Sequence, residues 1–253
     1  MPVPQFPSLW KGDQETMDFT PTGRRLLAVV AHPDDVEFTS GGTIARWIAE
    51  GGEVYYLICT DGAAGGGHPS HTADWLRETR EREQRDAAAF LGVRDVFFLR
   101  YRDGELLSSL ELRLSIARCI RQVRPDAALI LNPVRHWGPN TLRGNHPDHL
   151  AAGEAALAAL YPGVGNAWTF TELLAEGLQP HTVPEILIVN TEKPDYAVDI
   201  STTIDTKIAA IHQHVSQVGD REIEERIRGR AATTGAAYGM PYAEAFLRLL
   251  IDW

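Results

Sequence analysis

Four short apolar runs constrain what this chain can fold into: LLAVVA at 26–31, EVYYLICT at 53–60, VFFL at 96–99 and AALIL at 127–131. Each has strand length, and the segment after each carries apolar residues at helical spacing. After the first run, Ile44, Ala45, Ile48 and Ala49 fall on one face, which predicts a helix from about Gly41–Gly42 with Thr39 or Ser40 as its cap. A charged helix over 73–91 follows the second run and stops at Gly92, a residue suited to the left-handed conformation that ends helices. The third run leads to a helix over 109–123 and the fourth, after a polar connection, to an Ala-rich helix over 148–160. Strand and helix alternating at this spacing imply a parallel sheet with helices on both faces, an α/β fold. Beyond residue 161 the pattern is less regular: strands are expected at 185–190 and 196–200, and helices at 203–216, 221–233 and 242–250. Residues 1–23, with four prolines and no periodicity, read as a surface arm.

In an open α/β sheet, ligands bind beyond the carboxyl ends of the strands. Two stretches at that edge echo one another. VVAHPDDVEF (29–38) closes the first run, and RGNHPDHLAAG (143–153) opens the helix after the fourth. In both, a proline follows the histidine, fixing φ at about −65° and stiffening a turn that leads into a helix. Such a turn can hold several side chains without the entropy of a loose loop.

A hydrolytic metal ion takes three protein ligands and keeps a position open, and two histidines with one carboxylate are a familiar set. His32, Asp35 and His149 supply that set. Asp34 is then free as a base beside a water whose pKa the ion lowers. His146 can face the other side of a substrate and stabilise an oxyanion, and Asp148 can hold the His146 imidazole in the right tautomer. Singly these signals are weak, because Asp34 and Asp35 are also good helix caps and a lone histidine is more often a surface or core residue. The pairing of two such turns at one sheet edge is what favours a metal site. Glu37 reads as a supporting or capping residue, and His68 and His71, in a Gly-rich loop, are left out of the site.

Composition narrows the partners. A formal net charge of −10 with no Lys/Arg cluster argues against nucleic acid. Cys59 and Cys119 stand in apolar surroundings and form no CxxC pair, as expected of buried thiols in a reducing compartment. No apolar segment approaches the ~20 residues that cross a bilayer, and the N-terminus lacks a basic start and an apolar stretch of signal-peptide type. The expectation is a cytoplasmic protein that binds no membrane.

AHPDDVEFTSGG, CTDGAAGG and NHPDHLAAG, in this order with strands between them, resemble the LmbE-like, or PIG-L, family of metal-dependent N-deacetylases over most of residues 26–160. The resemblance implies a Rossmann-like three-layer α/β/α fold, with residues 24–253 forming a single domain. It implies Zn2+, or Fe2+ or another divalent ion in its place, at His32, Asp35 and His149, with Asp34 as general base and His146 as oxyanion stabiliser. Three further positions follow from it. Arg80, in an Arg-x-x-Glu pattern with Glu83, resembles an arginine that contacts substrate; the plain alternative is an i,i+3 pair on a solvated helix. Asp103 in YRDGEL matches an acidic residue that holds a sugar hydroxyl, against an ordinary Asp-Gly turn. His214 in HQHVSQ resembles a histidine near the pocket, against a helical histidine facing solvent. The chain departs from many relatives at Val36, Ala63, Ala64 and Gly144, so the specificity pocket carries over less well than the core.

The function expected from these residues is metal-dependent removal of an N-acyl group, acetyl first, from an amino-sugar-like or glycoside amide. The alternatives are a thiol-conjugate amidase, with residues 161–182 as the wall that would decide, or a sugar- or nucleotide-binding module without catalysis. The partner expected is a small N-acyl sugar, and the sequence leaves the oligomeric state, a homo-oligomer included, open.

Overall fold

The computed structural model describes residues 19–66, 70–137, 145–219 and 222–251. The elements run β1 (Arg25–Val30), α1 (Asp35–Ala49), β2 (Glu53–Thr60), α2 (Ala73–Leu91), β3 (Asp95–Tyr101), α3 (Leu110–Val123), β4 (Ala127–Leu131) and α4 (Pro147–Ala158). After them come α5 (Thr171–Ala175), β5 (Glu185–Val189), β6 (Tyr196–Asp199), α6 (Ile204–Ile211), α7 (Val215–Val218), α8 (Glu224–Ala237) and β7 (Ala243–Leu250). The seven strands form one sheet in the order β3-β2-β1-β4-β5-β7-β6. β1 to β5 pair in parallel, and β7 runs antiparallel between β5 and β6. α1 packs with α2 and α6, while α3 packs with α4, so helices cover both faces.

Covered on both sides, the central strands are apolar throughout instead of alternating. Leu26 to Val30 and all of β4 are buried, and a fully buried Leu or Val contributes roughly 1.5–3 kcal/mol. Local signals place several helix ends where expected. The Thr72 hydroxyl accepts from the Trp75 N–H, Gly92 closes α2 at φ 87°, and the Ser109 hydroxyl accepts from the Leu112 N–H. Cys59 and Cys119 are buried and free, with their thiol pKa values pushed up by burial. Among the described residues no helix is long and apolar enough to cross a membrane. Most of the expected N-terminal arm lies outside the described residues; of it, Phe19 packs edge-on against Trp47.

Three expectations are corrected. The first helix begins at Asp35, not near Gly41, and Thr39 and Ser40 lie inside it. The glycine pair serves a close approach. A Cβ on Gly42 would fall 2.8 Å from the Ile200 side chain, and one on Gly41 3.2 Å from Lys207 Cγ. Lys207 reaches over this spot to donate to the Phe38 carbonyl (3.0 Å) and to pair with Glu244, which accepts from the N–H groups of Gly42 (3.1 Å) and Thr43 (2.7 Å).

The segment at 242–250 is the strand β7, not a helix. AEAFLRLL is built of good helix formers, but pairing with β5 on one side and β6 on the other overrides that weak preference. The expected helix over 203–216 is interrupted at residues 212–214, between α6 and α7, which places His214 in a buried bend.

The irregular stretch between α4 and β5 is fastened by one side chain. Arg121, on α3 and 2% exposed, donates to the carbonyls of Gly163, Val164, Asn166, Thr169 and Leu178. Arg121→Met would strand these acceptors in a buried site. The expected cost is about 3 kcal/mol, since each buried group left unpaired costs ~1–3 kcal/mol. Thermal melts should then show a Tm lower by roughly 6–12 °C. A Tm within about 2 °C of the parent would mean the carbonyls find other partners.

Candidate active site

The turn after β1 carries His32, Pro33, Asp34 and Asp35, and the last of these opens α1. Across the sheet edge, α4 starts with His146 as N-cap and Pro147 in its first turn, which brings Asp148 and His149 to the same place. Pro147 lacks an N–H where the helix has no use for one, so the motif both starts the helix and stiffens the turn.

His32 stands at the centre. Its Nδ1 lies 3.2 Å from His149 Nε2 and 3.6 Å from Asp35 Oδ2, and His149 Nε2 lies 3.1 Å from Asp35 Oδ1. Donor atoms held tetrahedrally by one ion at zinc-like bond lengths would be ~3.4 Å apart, so these three residues fit a divalent cation. The other side of the ring supports that use. His32 Nε2 faces Asp103 Oδ1 at 3.1 Å and Asp148 Oδ2 at 3.2 Å. Carboxylates there favour the tautomer with its proton on Nε2 and a free lone pair on Nδ1, the usual arrangement behind a metal-ligating histidine. The donor atoms of His32, His146 and His149 also gather within 4.8 Å, as do those of His32, Asp103 and Asp148.

The electrostatics agree. Burial alone would lower the His32 pKa, but hydrogen bonds to Asp103, Asp148 and Asp35 carry it up to about 12. Burial would raise Asp35, yet His149 and His32 hold it well below the usual carboxylate range; His149 is raised in turn, Asp35 outweighing its burial. The acidic groups around these imidazoles demand positive charge at this spot.

Asp34 differs from its neighbours. Its backbone is left-handed at φ 94° and ψ −22°, and its side chain caps nothing. For a non-glycine residue this conformation costs ~1–2 kcal/mol. The carboxyl is pushed up to about 6 by burial, with the Arg80 guanidinium as the main opposing influence. That range suits a group that must accept and then release a proton near neutral pH. His146 is lowered, by burial and then by His32 and His149. Its Nδ1 accepts from the Asp148 N–H at 3.2 Å, so the neutral ring carries its proton on Nε2 and is a donor.

The remaining expected residues are placed as follows. The Asp148 carboxylate faces His32 and accepts from the N–H groups of Gly104 (2.7 Å) and Leu106 (3.1 Å); it is its backbone N–H, not its carboxylate, that meets His146. Asp103 lies against His32 and also accepts from the Ala64 N–H at 2.9 Å. Arg80 is 4% exposed and does not pair with Glu83 among the described contacts. Its guanidinium donates to the carbonyls of Pro33 (2.6 Å) and Gly62 (2.8 Å) and to Asp34 Oδ2 (3.4 Å), while Glu83 accepts from the N–H and hydroxyl of Ser216. His214 is 1% exposed and meets Glu37 through Nε2 at 3.2 Å; burial would lower its pKa, but Glu37 raises it. His71 stacks on Trp75, while His68 and Gly144 lie outside the described residues.

Sequence reasoning missed Gln84 altogether. It is fully buried, accepts from the Asp34 N–H at 2.8 Å and donates to Glu37. Its signal was its place four residues after Arg80, on the same face of α2.

Comparison with known proteins meets this geometry. The PIG-L family, described as GlcNAc-PI de-N-acetylase, matches residues 27–160, which hold both HPD turns. The chain is 34% identical over 225 residues to a diacetylchitobiose deacetylase of Thermococcus kodakarensis, covering 87% of this chain and 81% of that protein. It is 31% identical over 250 residues to a 1D-myo-inositol 2-acetamido-2-deoxy-alpha-D-glucopyranoside deacetylase of Rhodococcus erythropolis, covering 79% and 83%. Among solved structures, N,N'-diacetylchitobiose deacetylase from Pyrococcus horikoshii superposes with a TM-score of 0.82 at 32% identity, over 90% of this chain and 84% of that one. With the paired turns, the sheet order and the sequence all in agreement, the chain belongs to the PIG-L, or LmbE-like, family.

Proposed function

We propose that this protein is a metal-dependent deacetylase that hydrolyses the N-acetyl group of an amino sugar or amino-sugar glycoside. The observation that carries the reading is the meeting of His32 Nδ1, His149 Nε2 and the Asp35 carboxylate, with Asp34 beside them. Deacetylases of N-acetylated sugars among its relatives support the substrate class.

His32, Asp35 and His149 would hold the ion, with Zn2+ proposed first. When bound, it supplies a Lewis acid and lowers the pKa of a water toward ~7. Asp34 takes the proton of the attacking water and, now protonated, gives it to the leaving amine nitrogen. The Nε2–H of His146 donates to the acetyl oxygen as that oxygen becomes anionic. Asp103 and Asp148 hold the His32 ring in the tautomer the ion needs. Arg80, tied to the Pro33 carbonyl and the Asp34 carboxylate, acts as a brace of the HPDD turn and is not free to reach a sugar.

A screen of N-acetyl sugars and glycosides tests this, with released acetate as the readout and one arm for larger acyl groups. Turnover of an N-acetyl amino sugar is expected, lost with a chelator and restored by a divalent ion. Turnover that survives complete removal of metal would sink the metal-dependent reading, and release of larger acids alone would favour an amidase.

A further inference from the structure

The strain at Asp34 needs something to hold it, and α2 supplies it from two positions one turn apart. Arg80 takes the Asp34 carboxylate, and Gln84 takes the Asp34 N–H. The Gln84 amide has no freedom to turn over. Its Nε2 donates to both oxygens of Glu37, at 3.1 and 3.2 Å, and a carboxylate only accepts, so the amide oxygen must face Asp34. Glu37 is fixed in turn by His214 Nε2 at 3.2 Å. Gln84 and Glu37 are wholly buried and His214 is 1% exposed, so water does not substitute for any link.

We propose that Gln84, oriented by Glu37 and His214, is a positioning residue for the reaction: it fixes the left-handed Asp34 backbone that aims the base. The inference rests on the reading of Asp34 as base. The chain of donors and acceptors runs His214, Glu37, Gln84, Asp34, and none of the first three touches the reacting atoms.

The polarity of this chain gives a specific test. Gln84→Met removes the acceptor at nearly constant volume. Gln84→Glu keeps an acceptor for Asp34 but sets a second carboxylate against Glu37. Glu37→Gln combined with Gln84→Glu swaps amide and carboxylate. The carboxylate, now on α2, again accepts from the Asp34 N–H; the amide, now on α1, donates to that carboxylate and accepts from His214 through its oxygen. Amide exchange of the Asp34 N–H, followed by NMR, reads the hold on the backbone without activity. In Gln84→Met that exchange should quicken by at least about tenfold, with kcat falling by roughly 30–100-fold, the cost of a misplacement of ~1 Å. KM should stay within about twofold and metal content should not change, because binding and ligation are untouched. Gln84→Glu alone should also lose turnover, and the double exchange should return to within about threefold of the parent.

Asp34 exchange and kcat in Gln84→Met within about twofold of the parent would overturn the inference, as would a double variant no better than Gln84→Glu. Should Gln84→Met not fold, the comparison of the double variant with Gln84→Glu decides. Asp34→Asn run alongside separates the two readings. If it keeps full kcat, the base assignment fails; if it loses kcat while Gln84→Met does not, only the positioning role fails.

Discussion

Asp34→Asn is expected to lower kcat by about 10²–10⁴-fold, the range general acid–base catalysis supplies, while metal content stays at the parent level. The amide keeps the shape of the side chain and can still meet Arg80, but it takes no proton from water and has none to pass on. The proposed ligands, His32, Asp35 and His149, do not include it. Steady-state kinetics with metal analysis by plasma emission check both halves. An unchanged kcat would remove Asp34 as base. A loss of metal matching the loss of turnover would instead make it a ligand.

His149→Ala should fail differently. It removes one of the three proposed donors, the ring nitrogen that lies 3.2 Å from His32 Nδ1 and 3.1 Å from Asp35 Oδ1. Removing even a hydrogen-bond partner of a metal ligand costs ~10–100-fold in affinity, so deletion of the ligand should cost at least about 100-fold. Two measurements follow. Metal content should fall in step with turnover, and the thermal stabilisation by added metal should vanish. In the parent, an ion present at a hundred times its Kd should add about 2.7 kcal/mol. A variant still stabilised by metal as the parent is would place the ion elsewhere, for instance among His32, Asp103 and Asp148.

How legible this was depended on where the information sat. The meeting of His32, Asp35 and His149 at one place could be read from sequence because their residue types, the adjoining prolines and the edge of a parallel sheet all point the same way. The strands β2 and β4 could be read to the residue because β4 is an unbroken, fully buried apolar run and β2 is rich in aromatic and β-branched residues and mostly buried. α2 concealed its part. RETREREQRDAAAFLG reads as a solvated charged helix, yet Arg80, Glu83 and Gln84 are buried and each serves another segment. Nothing in the local pattern tells a buried guanidinium from an exposed one; only the partner does, and the partner lies 47 residues away in the chain. β7 hid for the opposite reason: its composition is locally convincing as helix, and only the free sides of β5 and β6 decide otherwise.

The clamp on α1 has a consequence for how the protein matures. Glu244 holds the Gly42 and Thr43 amides from 202 and 201 residues downstream. A nascent chain emerging from the ribosome therefore carries both HPD turns well before it carries the strand that seats α1 against its neighbours. Contacts of such long range pay loop-closure entropy first and form late. The seating of α1, which opens on Asp35, is thus completed only after the stretch around Glu244 has been made, and until that stretch docks the two turns exist as sequence but not yet as a site.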